Sequence, residues 1–216
     1  RNEILWNSYL EKLKPYEENI NGDWKPIGPK TPPTSLASGR VVGSGRIDCI
    51  EFHPTDTLTF YVGSPSGGLW KTTDGGNTWV PRTDNLPSLG IADIAIHPDH
   101  PDTIFIATGD RDAGEVYSAG VLKSVNGGLD WTTTGLSFSQ SQQFVVNRLL
   151  IRPDQPDTLI AGTNNGIYLL SNGGASSIKI RDGNFKDLEF HPSNPRIIYA
   201  ASYSYGYASV FRSTNG

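Results

Sequence analysis

A four-fold internal repeat constrains this chain more than any other feature of its sequence. His53, His97, Arg152 and His191 are each followed by a proline: Pro54, Pro98, Pro153 and Pro192. One residue before each anchor stand Phe52, Ile96, Ile151 and Phe190, and three before stand Ile50, Ile94, Leu149 and Leu188. Apolar residues two apart lie on one side of a strand, so each copy opens with a strand that buries that side. Eight residues past the anchors come Tyr61, Phe105, Ile160 and Tyr199. Small residues follow: Gly63 and Ser64, Ala107 and Thr108, Gly162 and Thr163, Ala201 and Ser202. Each copy therefore reads as strand, proline turn, strand, and repeated antiparallel sheets are the fold this demands.

A second motif follows each strand pair. Thr72-Thr73-Asp74-Gly75-Gly76-Asn77-Thr78-Trp79 recurs as Ser124-Val125-Asn126-Gly127-Gly128-Leu129-Asp130-Trp131. A third copy, Ser171-Asn172-Gly173-Gly174, lacks the Trp, and Ser213-Thr214-Asn215-Gly216 begins a fourth. The physical reading is a hairpin. Asp or Asn folds its side chain back on local N–H groups, Gly supplies positive φ, and Trp anchors the outgoing strand. Flanking strands over Gly68–Thr72 and Trp79–Arg82 bring the expectation to four strands per repeat.

The pattern Ser/Thr-x-Asp-x-Gly-x-Thr-Trp resembles the Asp-box (BNR) repeat of sialidase-, sortilin- and xyloglucanase-type β-propellers. Thr72, Asp74, Gly76, Thr78 and Trp79 match it in full, and Ser124, Asn126, Gly128 and Trp131 match it with Asn for Asp. The resemblance covers residues 45–216. More narrowly, Gly45-Arg46-Ile47 through Trp79, with Asp110 and Asp112, is similar to propeller proteins secreted by the bacterial type 9 system. The resemblance implies an all-β chain, a β-propeller of four-stranded antiparallel blades at about 45–89, 90–142, 143–183 and 184–216. Families of this kind resemble rings of more than four blades, so the expectation is part of a larger ring. The start at Arg1 and the absence of Met read as a processed or trimmed product, and the resemblance implies a protein secreted or at the bacterial cell surface.

The first 44 residues differ from the repeats. Leu5, Trp6, Tyr9, Leu10 and Leu13 are spaced as one face of a helix ending before Pro15, within an arm over 1–22. In the segment 23–44, Trp24–Ile27 reads as an outer strand and Pro29–Ser38 as an extended linker.

Composition excludes several classes. Hydrophobic residues are 36% of the chain, enough for a core, while 24 Gly and 15 Pro favour turns over long helices. No apolar run reaches the ~18 residues of a transmembrane segment. A net charge of −4 argues against a nucleic-acid groove, which needs clustered Lys and Arg. The single Cys49 excludes an intramolecular disulfide and any Cys-based zinc site.

Propeller topology places the selective chemistry on one face, in the loops 64–68, 83–90, 109–120, 134–143, 163–166, 180–184 and 202–209. The loop around Asp110, Arg111, Asp112, Glu115 and Tyr117 gathers three carboxylates, and Asp110, Asp112 and Glu115 are candidate Ca²⁺ ligands. Solvation and pairing with Arg111 is the alternative for the same loop. Tyr203, Tyr205 and Tyr207 alternate as flat faces for a sugar or peptide would, or as a packed strand. The anchor histidines and Asn164-Asn165-Gly166 read as structural.

Catalysis is where the resemblance and the residues diverge. Xyloglucanase-type propellers carry a catalytic Asp in a loop like Thr-Asp-Ile-Gly-Gly, but here the stretch is Ser64-Pro65-Ser66-Gly67-Gly68. Proline at 65 removes that carboxylate. Arg40, Arg46 and Arg111 lack the Arg-Ile-Pro signature of sialidases. The expectation is thus a non-catalytic binding or adhesion propeller for a glycan or protein. Two alternatives stand beside it: a glycoside hydrolase whose carboxylates lie in further blades, and a cargo bound to secretion machinery.

Overall fold

A computed structural model of the chain describes residues 46–86, 90–112, 116, 118–204 and 206–216. They form four antiparallel sheets, each a meander of consecutive strands. The first contains β1 (Cys49–Phe52), β2 (Phe60–Ser64), β3 (Gly68–Thr72) and β4 (Val80–Pro81). The second contains β5 (Ile91–Ile96), β6 (Ile104–Thr108), β7 (Gly120–Ser124) and β8 (Thr132–Ser137). The third contains β9 (Val146–Arg152), β10 (Gln155–Thr163), β11 (Gly166–Ser171) and β12 (Ser176–Arg181). The fourth contains β13 (Phe185–His191), β14 (Asn194–Ser204) and β15 (Tyr207–Ser213). The predicted helix over Leu5–Leu13 and the outer strand Trp24–Ile27 lie outside the described residues.

The repeat fixes one register throughout. Ile50 pairs with Val62, Ile94 with Ile106, Leu149 with Ala161 and Leu188 with Ala200. Strands β1, β5, β9 and β13 pack side by side, as the inner strands of propeller blades do. Apolar residues from facing sheets fuse into one core per interface. Tyr61 and Leu69 meet Ile91, Ile94 and Ile106, while Phe105 and Val121 meet Leu149 and Leu159. Ile160 and Ile167 meet Phe185 and Leu188. Each fully buried side chain of this size contributes about 1.5–3 kcal/mol.

The hairpin motifs hold the opposite end of each sheet. Thr72 Oγ1 donates to Asp74 Oδ1 (2.8 Å), which also accepts the Thr78 N–H (2.8 Å). Thr78 Oγ1 donates to Asp74 Oδ2 (2.7 Å). In the second sheet Asn126 Oδ1 accepts from Ser124 and from the Asp130 N–H, while its NH₂ donates back to Asp130 (2.9 Å). Positive φ at both Gly75 and Gly76 makes the turn, and the pair recurs at Gly127–Gly128 and Gly173–Gly174. The first Gly of each pair donates to the β1–β2 turn of its own sheet or the equivalent, at Leu58, Asp102 and Asp157. Its carbonyl links blades: Tyr61 Oη donates to Gly127, and Lys123 Nζ to Gly173 (2.9 Å).

The anchor histidines cap their turns. Nδ1 of His53 accepts the N–H of Asp56 (3.1 Å), and Nδ1 of His97 that of His100 (3.1 Å). His191 does the same for Ser193. Arg152 replaces this bond with an ion pair to Asp154.

Candidate functional site

The β2–β3, β6–β7 and β10–β11 turns and the connections between sheets share one face. Gly109 N–H donates to Gly90, Ser118 to Phe144 and Asn164 to Val145, so these loops brace one another. The turn carrying Pro65 belongs to this face, with its carbonyl against Gly90.

At the centre of the face the 109–112 segment caps the inner strands. Asp110 is buried and its carboxylate binds the Arg46 guanidinium, which also holds Asp48 Oδ1 (2.6 Å). Asp110 Oδ1 accepts the Asp112 N–H (3.0 Å), an Asx-turn that shapes the loop. Arg111 reaches across the inner strands, donating to the backbone carbonyls of Asp48 (2.7 Å) and Asn147 (3.4 Å). Lys186 Nζ donates to the Arg111 carbonyl (3.4 Å). One loop of the second sheet thereby touches the other three sheets. Of its acids, Asp110 pairs with Arg46; Glu115, like Tyr117, lies outside the described residues. Among the described residues no three His, Cys, Asp or Glu side chains gather as a metal ion would require.

Beneath this cap the inner strands carry a charged ladder. Arg148 on β9 pairs with Asp93 on β5 (3.5 Å) and with Asp187 and Glu189 on β13 (3.4 and 2.8 Å). Asp93 Oδ2 also accepts the Leu149 N–H (2.7 Å). Burial pushes the Asp93 carboxyl up, with Arg148 pulling the other way. Glu51 on β1 is pushed up to about 7, first by burial and then by Asp93. Burial raises the Cys49 thiol to about 12, so it stays protonated.

Between the third and fourth sheets a cleft of about 480 Å³ opens on the loop face, lined by Asn164, Asn165, Asp182, Asn184, Tyr203 and Ser204. Asn164 is fixed by accepting the Val145 N–H (2.9 Å) and donating to the Gln143 carbonyl (3.0 Å). Asn165 donates its NH₂ to Tyr168 Oη (3.0 Å), which keeps its amide oxygen for another donor. The Asn184 carbonyl accepts the Tyr203 N–H, while its side-chain Oδ1 is buried with no partner among the described residues. Tyr203 is 51% exposed. The Asn165 amide oxygen, which no described donor takes, and the half-exposed Tyr203 ring put an acceptor beside a flat face, a pairing that suits a neutral, polyhydroxylated ligand.

The expected row of tyrosines is not formed. Tyr203 pairs with Ala208 and Tyr207 with Ser204 across the β14–β15 turn, so Tyr203 and Tyr207 face opposite ways. Tyr205 lies outside the described residues. The structure adds Asn165, Asp182 and Asn184 to the candidate site residues. Their signal was their position, within the loops 163–166 and 180–184.

No known family's sequence profile matches the chain. Over 175 residues it is 25% identical to xyloglucanase Xgh74A of Acetivibrio thermocellus, covering 76% of this chain and 20% of that protein. Over 150 residues it is 25% identical to a xyloglucanase of a Paenibacillus species, covering 64% of this chain and 15% of that protein. An ancestral GH74 enzyme superposes with a TM-score of 0.64 at 25% identity, covering 79% of this chain and 25% of that one. These relatives are glycoside hydrolases. The chain spans about a fifth or less of the curated relatives' length. The expectation of a non-catalytic binding or adhesion module is overturned by this likeness, which favours the hydrolase alternative and an enzyme. Absence of one carboxylate at Pro65 was too narrow a basis for the opposite conclusion.

Proposed function

We propose that the protein is a glycoside hydrolase acting on xyloglucan or a related neutral glucan, with the cleft at Asn165, Asn184 and Tyr203 binding the sugar chain. The observation that carries this reading is the 25% identity to xyloglucanases over 76% of the chain. The cleft's chemistry supports it, because hydroxyls pair with amides and the apolar side of a pyranose stacks on a ring. The hairpins over Thr72–Trp79 and Ser124–Trp131 are Asp boxes in this reading, with their side chains closing the turn. Export by the type 9 route, to the medium or cell surface, belongs to the same proposal, since a polysaccharide is degraded where it can be reached.

The test is release of reducing ends from xyloglucan by the intact protein. Tyr203→Ala and Asn184→Ala are expected to raise KM about 5–10-fold, roughly 1–1.4 kcal/mol of lost contact, with kcat within about two-fold. An intact protein that releases no reducing ends from xyloglucan or any other neutral glucan ends this reading.

A further inference from the structure

The outer edges of the first and second sheets differ where the repeat makes likeness the expectation. Strand β8 has six residues and closes on the third sheet. Gly135 N–H donates to the Gly174 carbonyl (2.8 Å), and Ser177 Oγ donates to the Gly135 carbonyl (2.8 Å). Strand β4 has two residues; the Arg82 N–H still donates to the Leu69 carbonyl (2.8 Å), and the chain then leaves the ladder, with Thr83 Oγ1 accepting the Leu69 N–H (2.8 Å). Among the described residues, the outer edge of the first sheet meets the second hairpin through side chains and the Trp131–Arg82 bond, with no backbone-to-backbone bond like that of Gly135 to Gly174. A cleft of about 520 Å³ runs between Pro81–Leu86 and the second hairpin.

Trp131 forms one wall, packed on the core below and donating its indole N–H to the Arg82 carbonyl (2.9 Å). Arg82 Nε is buried without a partner among the described residues. Asp84 and Asn85 are exposed on the opposite wall, and Asp130 stands beside Trp131. The third hairpin, which lacks the Trp, faces the interface that is closed.

We propose that this flank cleft is a second glycan-binding site, taking a neutral pyranose unit at a distance along the chain from the loop-face cleft. An indole supplies the apolar face that a pyranose stacks on. Arg82 donates, Asp84 and Asp130 accept, and Asn85 does both, a set that hydroxyl groups satisfy in either role. Both charge signs line the cleft, so neither a cation nor an anion is selected. A volume of about 520 Å³ falls in the range of small-ligand sites. The choice of glucan rests on the hydrolase reading; the site itself does not.

The experiment uses the intact protein and a panel of xyloglucan, cellohexaose and mannan, with binding measured by calorimetry. Asp84→Ala combined with Asn85→Ala, both exposed and outside the core, is expected to weaken polymer binding at least five-fold at unchanged Tm. Trp131→Phe is expected to weaken it less than the double variant, by keeping a ring in place. Turnover of a short oligosaccharide stays within two-fold for both. Binding that no variant changes, no retention of any neutral glycan, or capture of an apolar peptide in their place overturns the proposal. Wild-type protein that binds glucan but releases no reducing ends removes the hydrolase reading and leaves the flank site standing. An active enzyme whose polymer binding ignores these variants removes the flank site alone.

Discussion

Asp74 and Glu51 respond to pH in opposite directions, because one carboxylate is surrounded by donors and the other is buried beside a second acid. The Thr78 N–H, Thr78 Oγ1 and Thr72 Oγ1 hold Asp74 down at about 2. A carboxyl depressed in the fold binds fewer protons there than in the unfolded chain, so its contribution is present above about pH 4 and lost as pH falls toward 2. Asp74→Asn is expected to reduce the loss of Tm between pH 4 and 2, measured by thermal melts at several pH values. Glu51 has the reverse sign. With its carboxyl at about 7, the folded state keeps a proton that the unfolded chain releases near pH 4. Its contribution is full below about pH 4 and is lost as pH rises through 7. Glu51→Gln is therefore expected to stabilise the protein at pH 8, by on the order of 1 kcal/mol after solvent screening, and to leave pH 4 nearly unchanged. Equal pH profiles for wild type and variant contradict this assignment.

Elements show what the repeat makes legible and what it hides. Strand pairing was readable because side chains alternate with period two, and all four inner pairs share one register. The strand expected over Trp79–Arg82 shortens to Val80–Pro81: the Arg82 N–H still donates to the Leu69 carbonyl, but the Arg82 carbonyl accepts the Trp131 indole N–H, and Thr83 Oγ1 takes the Leu69 N–H in its place. The two clefts stayed hidden for the same reason: they arise from how far outer strands run and how neighbouring sheets meet, not from a local motif. The tyrosine row failed because the turn at Gly206 puts Tyr203 and Tyr207 on different strands. Two substitutions test the elements. Gly120 opens β7 at φ +96, where a Cβ would strike the Leu136 carbonyl. Gly120→Ala is expected to cost about 2–4 kcal/mol in denaturant unfolding. Arg148→Met leaves Asp93, Asp187 and Glu189 without their shared cation, an expected loss of about 2–4 kcal/mol at pH 7 that shrinks as they protonate.

Across the whole chain, the recurring residues build sheets and the departures from recurrence build clefts. His53, His97 and His191 cap turns, and Asp74 and Asn126 close hairpins, so none of them is free to select a ligand. Asn184 and Tyr203 have no such repeated duty. The propeller scaffold is legible in the sequence, whereas the expectation of a non-catalytic module gives one proline more weight than a likeness to xyloglucanases that runs through most of the chain. The most direct measurement is kcat/KM on xyloglucan for two groups of variants, taken well below their melting temperatures. The account predicts that Asp74→Asn and Gly120→Ala shift stability and keep kcat/KM within about two-fold, whereas Asn184→Ala and Tyr203→Ala lower it about 5–10-fold at unchanged Tm. Wild-type protein with no turnover, or cleft variants as active as wild type, would contradict it.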